Sequence, residues 1–488
     1  MLSPDTIQSL YAAVYERGER FGVDRPLSNS PLQRPGARPD SIAIAGGAFG
    51  DEGKGRIVDE LCARFSTDQR RMIIYRWNGG ANAGHTIIVG GQRVALHQLP
   101  SGALHAGATI ILGKGMVVHP GDLLAEIDSL RPLLSGRPPL DLHIDAQAVL
   151  SLDTHRAFEA ALWDWASGGK GSTGRGISPA YADVLLRHPV RAGDLIANNW
   201  QERLGKHYDL YEALIKGLGD SLDSLRVPTL GTGKVTVGAR SAFLSRLQEQ
   251  SAALRRYIRT DMHPTVRTAW AETQAAFVFE GAQAAGLDPR WGVYPDITAS
   301  DPTFSGISAS TEGIVLADEI AVRAAAIKAT YTSSVGQRRL PTHMDEPLAT
   351  RIREDAHEYG ATTRRPRDIA YIDLPCLRFY ADVSGANALV LTHLDIAYPD
   401  VQIRVCTHYT DARGELAPYR PDQDYLNTIT PHYRELPSWD GAALQGAQRL
   451  EDLPTTAVQY VAFLTQALGC PPLMATTGPE REAVISWV

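Results

Sequence analysis

Two glycine-rich segments hold the side chains of this 488-residue chain best suited to chemistry. The first reads Gly46-Gly47-Ala48-Phe49-Gly50-Asp51-Glu52-Gly53-Lys54-Gly55-Arg56. It follows an apolar run, SIAIA, and leads into IVDEL, which can open a helix. Glycines let backbone N–H groups approach an anion, and a helix start favours negative charge, so the segment suits phosphate. It is not the common phosphate loop, which needs Gly, four residues, then Gly-Lys-Ser/Thr. Gly47 stands one place too far back, and Gly55 occupies the position of the metal-binding hydroxyl. Asp51 is the informative anomaly. A carboxylate beside a polyphosphate is repulsive unless a divalent cation bridges them or the carboxylate takes a proton from the substrate. The bland alternative is a glycine turn with solvated acids.

The second segment, RWNGGANAGHTI, places Asn78, Gly79, Gly80, Asn82, Gly84 and His85 after an apolar run. Glycine at that density costs backbone entropy and is expected where main chain must approach a ligand. A lone histidine is usually a core residue, but one in a glycine loop at a strand end is placed to act as a general acid.

Elements must position these loops. The runs MIIYRW (72–77), TIIVGG (86–91), ATIILG (108–113), AFVFEG (276–281), AIKATYT (326–332) and ALVLTHLD (388–395) read as buried strands. PGDLLAEIDSLRPLL and TEGIVLADEIAVRAAA read as helices, with apolar residues three and four apart. That alternation predicts an α/β protein with a large, mostly parallel sheet flanked by helices, which binds ligands beyond the carboxyl ends of its strands. Residues 201–270 are more helical, and the GTGK within PTLGTGKVTVGA reads as a turn. MLSPDTIQSLYAAVYERGERFG reads as a short amphipathic helix, not a signal peptide, and RPLSNSPLQRPGARPD as a Pro-rich linker. The formal net charge of −7 argues against a nucleic-acid-binding surface, and no apolar run approaches a membrane span. The four cysteines form no CxxC pair, the pattern of reduced thiols in a cytoplasmic protein.

GDEGKGRIVD, NGGANAGHTI, LHQLPSG, ILGKGMVV, GSTGRGISPAY, FEGAQ, YPDITAS, GATTRRPR and TTGPER occur in this order, and together they resemble adenylosuccinate synthetase from about Ser41 to the C-terminus. The resemblance implies residues 1–40 as a separate helix and linker and 41–488 as one P-loop-NTPase-like main domain with helical insertions. It implies a ligase that joins aspartate to inosine monophosphate (IMP) with GTP and Mg²⁺. Asp51 matches the base that removes the N1 proton, and His85 the acid that hydrogen-bonds O6. Lys54 and Gln283 complete the catalytic set, and Asp51 with the carbonyl of Gly84 matches the Mg²⁺ ligands. The IMP pocket maps to Asn82, Thr173, Gln283, Thr298 and Arg365, and Arg187 matches an arginine that reaches a partner subunit's site, implying a homodimer. Aspartate maps to Ala361, Thr362, Thr363, Arg364, Arg365 and Arg367, with Arg175 a further donor. GTP maps to Gly50, Gly53, Lys54, Gly55, Arg56, Gly84, Thr86, Arg367, His393, Asp395, Thr476, Thr477 and Gly478.

Several residues depart from the family pattern. Ala48-Phe49 stands where Gln-Trp is usual, His393 replaces a lysine of the base-binding element, and Arg364 replaces a glycine. Asp368 replaces a basic residue, SVGQRRLPTH replaces R-V-G-x-G-P-F-P-T-E, and SDPTFSG replaces S-N-T-T-x-G-G. Two enzymatic readings follow: an ordinary member in purine synthesis, or a specialised paralogue in which Arg338, Arg339 and Arg364 admit another amine or sugar. A non-catalytic nucleotide sensor on the same fold would be expected to lose Asp51, His85 or Lys54, and all three are present.

Overall fold

The computed structural model describes residues 38–487 other than 68–69, 90–91, 137, 167–172, 232, 337, 361–365, 445 and 479–481. The N-terminal helix and most of the linker, and the candidates Ala361, Thr362, Thr363, Arg364 and Arg365, lie outside the described residues.

Ten strands form the main sheet: β1 (Arg38–Gly46), β2 (Arg71–Arg76), β3 (Ala108–Leu112), β4 (Asp141–Asp145), β5 (Ile258–Arg259), β6 (Ala275–Ala284), β7 (Ile320–Lys328), β8 (Ala388–Thr392), β9 (Pro472–Thr476) and β10 (Val484–Ser486). Their order is β5-β4-β3-β2-β6-β1-β7-β8-β9-β10, and every pairing is parallel except β9 with β10. A parallel sheet needs both faces covered, so its central strands are apolar throughout. β1 and β6 supply Ile42, Ile44 and Val278 to one core and Ala43, Phe277 and Phe279 to another.

Two sequence expectations are corrected. TEGIVLADEIAVRAAA is not a helix: after a short turn at Ala317–Glu319 the chain becomes β7, buried at all nine positions between β1 and β8. A strand covered on both faces shows no alternation, and its alanines mimic helical spacing. TIIVGG does not join the main sheet; His85–Val89 pairs with Gln92–Leu96 as an antiparallel hairpin. Only residues 77–84 separate it from β2, and a parallel crossover takes about a dozen residues or more.

Helix α1 (Lys54–Thr67) follows β1. Helices α2 (Asp153–Trp165), α3 (Ile177–Leu185) and α4 (Trp200–Gly217) build the helical insertion, with a hairpin at Arg226–Thr229 and Gly233–Thr236 on the GTGK turn. All four cysteines are free and buried. No described helix is long and apolar enough to cross a membrane.

Candidate active site

The carboxyl ends of β1, β2, β6, β7, β8 and β9 carry the loops that hold the candidates, where an open parallel sheet leaves a crevice. The 46–56 loop is organised by Glu52, which sequence reasoning passed over. Glu52 is buried and accepts hydrogen bonds from the N–H groups of Gly50 (2.7 Å) and Ala48 (3.3 Å) and from Lys54 Nζ (2.8 Å). Two loop amides and the lysine therefore serve the loop's own carboxylate. The amides at the start of α1 remain the helix-end donors that suit phosphate. Asp51 faces outward, 39% exposed, and its carboxylate accepts from Arg367.

Gly55 links this loop to the second. A Cβ there would lie 2.7 Å from Ser101 Oγ and 2.8 Å from His85 Cβ, so only glycine lets His85 pack on the first turn of α1. His85 is buried, and its Nδ1 faces the carboxylate of Glu280 on β6. Glu280 also accepts from the N–H and hydroxyl of Ser101, each at 2.7 Å. Burial pushes the His85 imidazole below its ordinary value, with Glu280 opposing that shift. Burial favours the neutral form of Glu280, but the facing imidazole and Arg76 prevail and hold it below the ordinary carboxylate value. The signal for Glu280 was legible: an acid inside the apolar run AFVFEG must have a partner.

Seven described non-glycine residues have positive φ, and four of them are Asp51 (57°), Arg187 (68°), Gln283 (60°) and His393 (58°). Left-handed backbone costs a residue with a side chain about 1–2 kcal/mol, and such strain gathers at functional sites. Gln283 is held by Asn78, which clamps Ala282 through its N–H (2.9 Å) and carbonyl (3.0 Å). Ser300 donates to Gln283 Oε1 at 3.4 Å. Asn82 Oδ1 and Thr298 Oγ1 are buried without a hydrogen-bond partner among the described residues. Gly84, Thr86 and Thr173 are exposed.

On the nucleobase side, β8 runs into His393 and Asp395. The His393 N–H donates to Thr476 Oγ1 (2.9 Å), and Leu394 N–H donates to the Thr476 carbonyl (3.0 Å). Thr477 ties back to Ala447 (3.2 Å), and Arg56 donates to the carbonyls of Gly478 and Ala483. Gly53 approaches the Thr392 side chain, so the 46–56 loop and the end of β8 adjoin. His393 Nδ1 lies 3.2 Å from the Tyr331 hydroxyl, which donates to Glu358 at 2.6 Å. Glu358 also pairs with Lys328. Burial and Lys328 push His393 down to about 4, so it is neutral near pH 7. Burial raises Asp395.

Two of the candidate arginines are buried. Arg175 is buried, 3.5 Å from Asp122, itself paired with Arg156 at 2.7 Å, and no contact joins it to Arg367 among the described residues. Arg338 is buried, its guanidinium donating to the carbonyls of Gly286 and Asp296, and it lines a surface cavity together with Arg339, Tyr294, Asp296 and His343. The structure also gathers His155, Asp183 and His207, a trio spaced like metal ligands that no short motif announces. Leu152 N–H donates to His155 Nδ1 at 2.9 Å, so the proton sits on Nε2, which faces Asp183 at 3.0 Å. The His155–Asp183 contact ties α2 to α3, Thr154 Oγ1 meets His207 Nε2 at 2.7 Å between α2 and α4, and the Tyr211 hydroxyl donates to Asp183 at 2.9 Å between α4 and α3.

Fold and loops together define an α/β enzyme that binds nucleotides. The sequence profile of adenylosuccinate synthetase matches residues 43–485. Adenylosuccinate synthetase of Thermus thermophilus is 34% identical over 450 residues, covering 92% of this chain and 99% of that protein. The Oleidesulfovibrio alaskensis enzyme is 33% identical over 454 residues, covering 91% and 99%. The fully ligated structure of adenylosuccinate synthetase from Plasmodium falciparum aligns with a TM-score of 0.80 at 28% identity, covering 92% of this chain and 99% of that one. The chain belongs to the adenylosuccinate synthetase family.

Proposed function

We infer that this chain converts IMP, L-aspartate and GTP into adenylosuccinate, GDP and phosphate, a cytoplasmic step of purine nucleotide synthesis carried by residues 41–488. The observation that carries the mechanism is the contact of Gly55 with His85, which holds the loops of Asp51 and His85 together. A lactam oxygen is a poor leaving group and must first be phosphorylated. Asp51 takes the N1 proton of the hypoxanthine, and charge moves to O6. O6 attacks the γ-phosphorus of GTP, the bond to the β–γ bridging oxygen breaks, and GDP leaves. His85, held by Glu280, donates its hydrogen bond to O6 as charge develops. The amine of aspartate then adds at C6, and phosphate departs with the original O6. Arg367 pairs with Asp51 before the nucleotide arrives and lies beside the segment read as the aspartate loop.

Asp51 and the carbonyl of Gly84 are hard oxygen donors exposed at two loop mouths, and they fit Mg²⁺. When bound, Mg²⁺ neutralises charge on the transferring phosphoryl group. The active unit is a homodimer in which Arg187 reaches the partner's IMP phosphate. In support, Arg187 is exposed after α3, next to Leu185 and Leu186, which are 83% and 66% exposed, with Trp165 of α2 at 68%. The near full-length identity to the Thermus thermophilus enzyme favours this reading over a paralogue with another amine.

The test is incubation with IMP, GTP, Mg²⁺ and a panel of amino acids, read by mass. Adenylosuccinate forms with aspartate alone, and Asp51→Ala lowers kcat by about 10³-fold with an unchanged circular dichroism spectrum. A product with another amine and none with aspartate overturns the assignment. Mixing inactive Asp51→Ala with impaired Arg187→Ala restores activity if sites are shared between subunits; a mixture no better than its parts refutes the shared site.

A further inference from the structure

We propose that Arg338 is a positioning residue that, together with Phe49, clamps the three segments carrying Asp51, Gln283 and Thr298. The proposal rests on the reading of those three as IMP-side residues and adds a residue no sequence motif assigns.

Arg338 is 4% exposed. Its guanidinium donates to the carbonyl of Gly286 (3.0 Å) and to that of Asp296, and lies 4.8 Å from the centroid of the Phe49 ring. Each contact falls two or three residues from a candidate: Phe49 from Asp51, Gly286 from Gln283, Asp296 from Thr298. The same segments are stitched by main chain. Gly286 N–H donates to Ala48 O (2.8 Å), Thr298 N–H to Leu287 O (2.7 Å) and Val335 N–H to Phe49 O (3.3 Å). A Cβ on Gly286 would meet Ala48 O at 2.4 Å and the Phe49 ring at 2.6 Å, so the stack admits no slack. Tyr380 closes the far side of Phe49, edge-on at 5.6 Å.

A buried guanidinium is costly unless its donors are used, and here Nη1 and Nη2 bridge two carbonyls while the plane lies by a ring, with Nε left without a partner among the described residues. Lysine offers one point of donation and cannot span the same acceptors. Ala48-Phe49 and Arg338, which depart from the family pattern separately, are therefore two halves of one contact. Gly286 leaves room for the Phe49 ring, and Phe49 supplies the ring on which Arg338 lies.

The experiment compares wild type, Arg338→Met, Arg338→Lys, Phe49→Leu and the Arg338→Met/Phe49→Leu double variant. Amide hydrogen exchange at Gly286, Thr298 and Val335 is expected to quicken at least about tenfold in Arg338→Met, while Leu394, on the nucleobase side, is unchanged. KM for IMP is expected to rise about tenfold with KM for GTP within about twofold, Arg338→Lys recovering only part, and the double variant no worse than Arg338→Met. Equal changes in both KM values, additive losses in the double variant, or unchanged exchange at the three amides would overturn the proposal. A wild-type protein inactive on IMP would sink the functional reading alone, because the exchange measurement decides the clamp without substrate.

Discussion

Two histidines stand in the candidate site, each within reach of a buried glutamate, and their environments drive them apart. His85 faces Glu280 directly, so the carboxylate opposes the burial that would keep the ring neutral. His393 reaches Glu358 only through the Tyr331 hydroxyl, and Lys328 already pairs with that glutamate. Glu358 opposes the shift only in part, burial, Lys328 and Arg56 outweigh it, and the ring is held neutral, down to about 4. The position of one lysine and one hydroxyl thus separates the surroundings of the two rings.

The comparison can be broken at its strong end first. His85→Ala is expected to lower kcat by about 10³-fold, and Glu280→Gln by about 10²-fold. Glu280→Gln should also shift the pH–rate limb of His85 to lower pH, since burial then acts unopposed. A limb that stays in place would show that the pair does not work as a unit. His393→Asn is expected to change kcat less than about twofold and raise KM for GTP about fivefold, the loss of one flat contact. A kcat loss comparable to that of His85→Ala would erase the distinction.

The smallest effect is on stability. In the unfolded chain His393 takes a proton near 6.5, but in the fold only near 4. Between those values the unfolded state binds the extra proton, so stability is full above pH 6.5 and falls as pH drops toward 4. Thermal melts should show wild type losing more than His393→Asn between pH 7 and 4.5, with the two parallel above that window. Equal losses would mean that His393 is not held neutral by the fold.

Much of the site was legible because glycine is informative. Gly53 and Gly55 mark where main chain approaches an anion or a neighbouring side chain, and Asp51 and His85 stand at those marks. The strands of AFVFEG and ALVLTHLD were legible because short apolar runs ending in polar residues suit a parallel sheet. β7 was not: its alanines fit either periodicity, and its burial on both faces removes the alternation that would decide. Glu52 was passed over because its partners are loop amides, whose direction depends on how the turn closes. The burial of Arg175 and Arg338 was not legible, because arginine in a sequence reads as an available charge. Whether the charge faces a substrate, Asp122 or the Phe49 ring depends on packing.

By itself, the amino-acid sequence determined the family, the α/β class and the types of residue in the glycine loops, because those rest on local propensity and on spacing along the chain. Tertiary structure alone decided which charges meet. Glu280 finds His85, Glu358 finds Lys328 and Tyr331, and Arg338 finds Phe49 across long stretches of chain, since low dielectric and dense packing force every buried charge to a partner that only the closed fold can bring near.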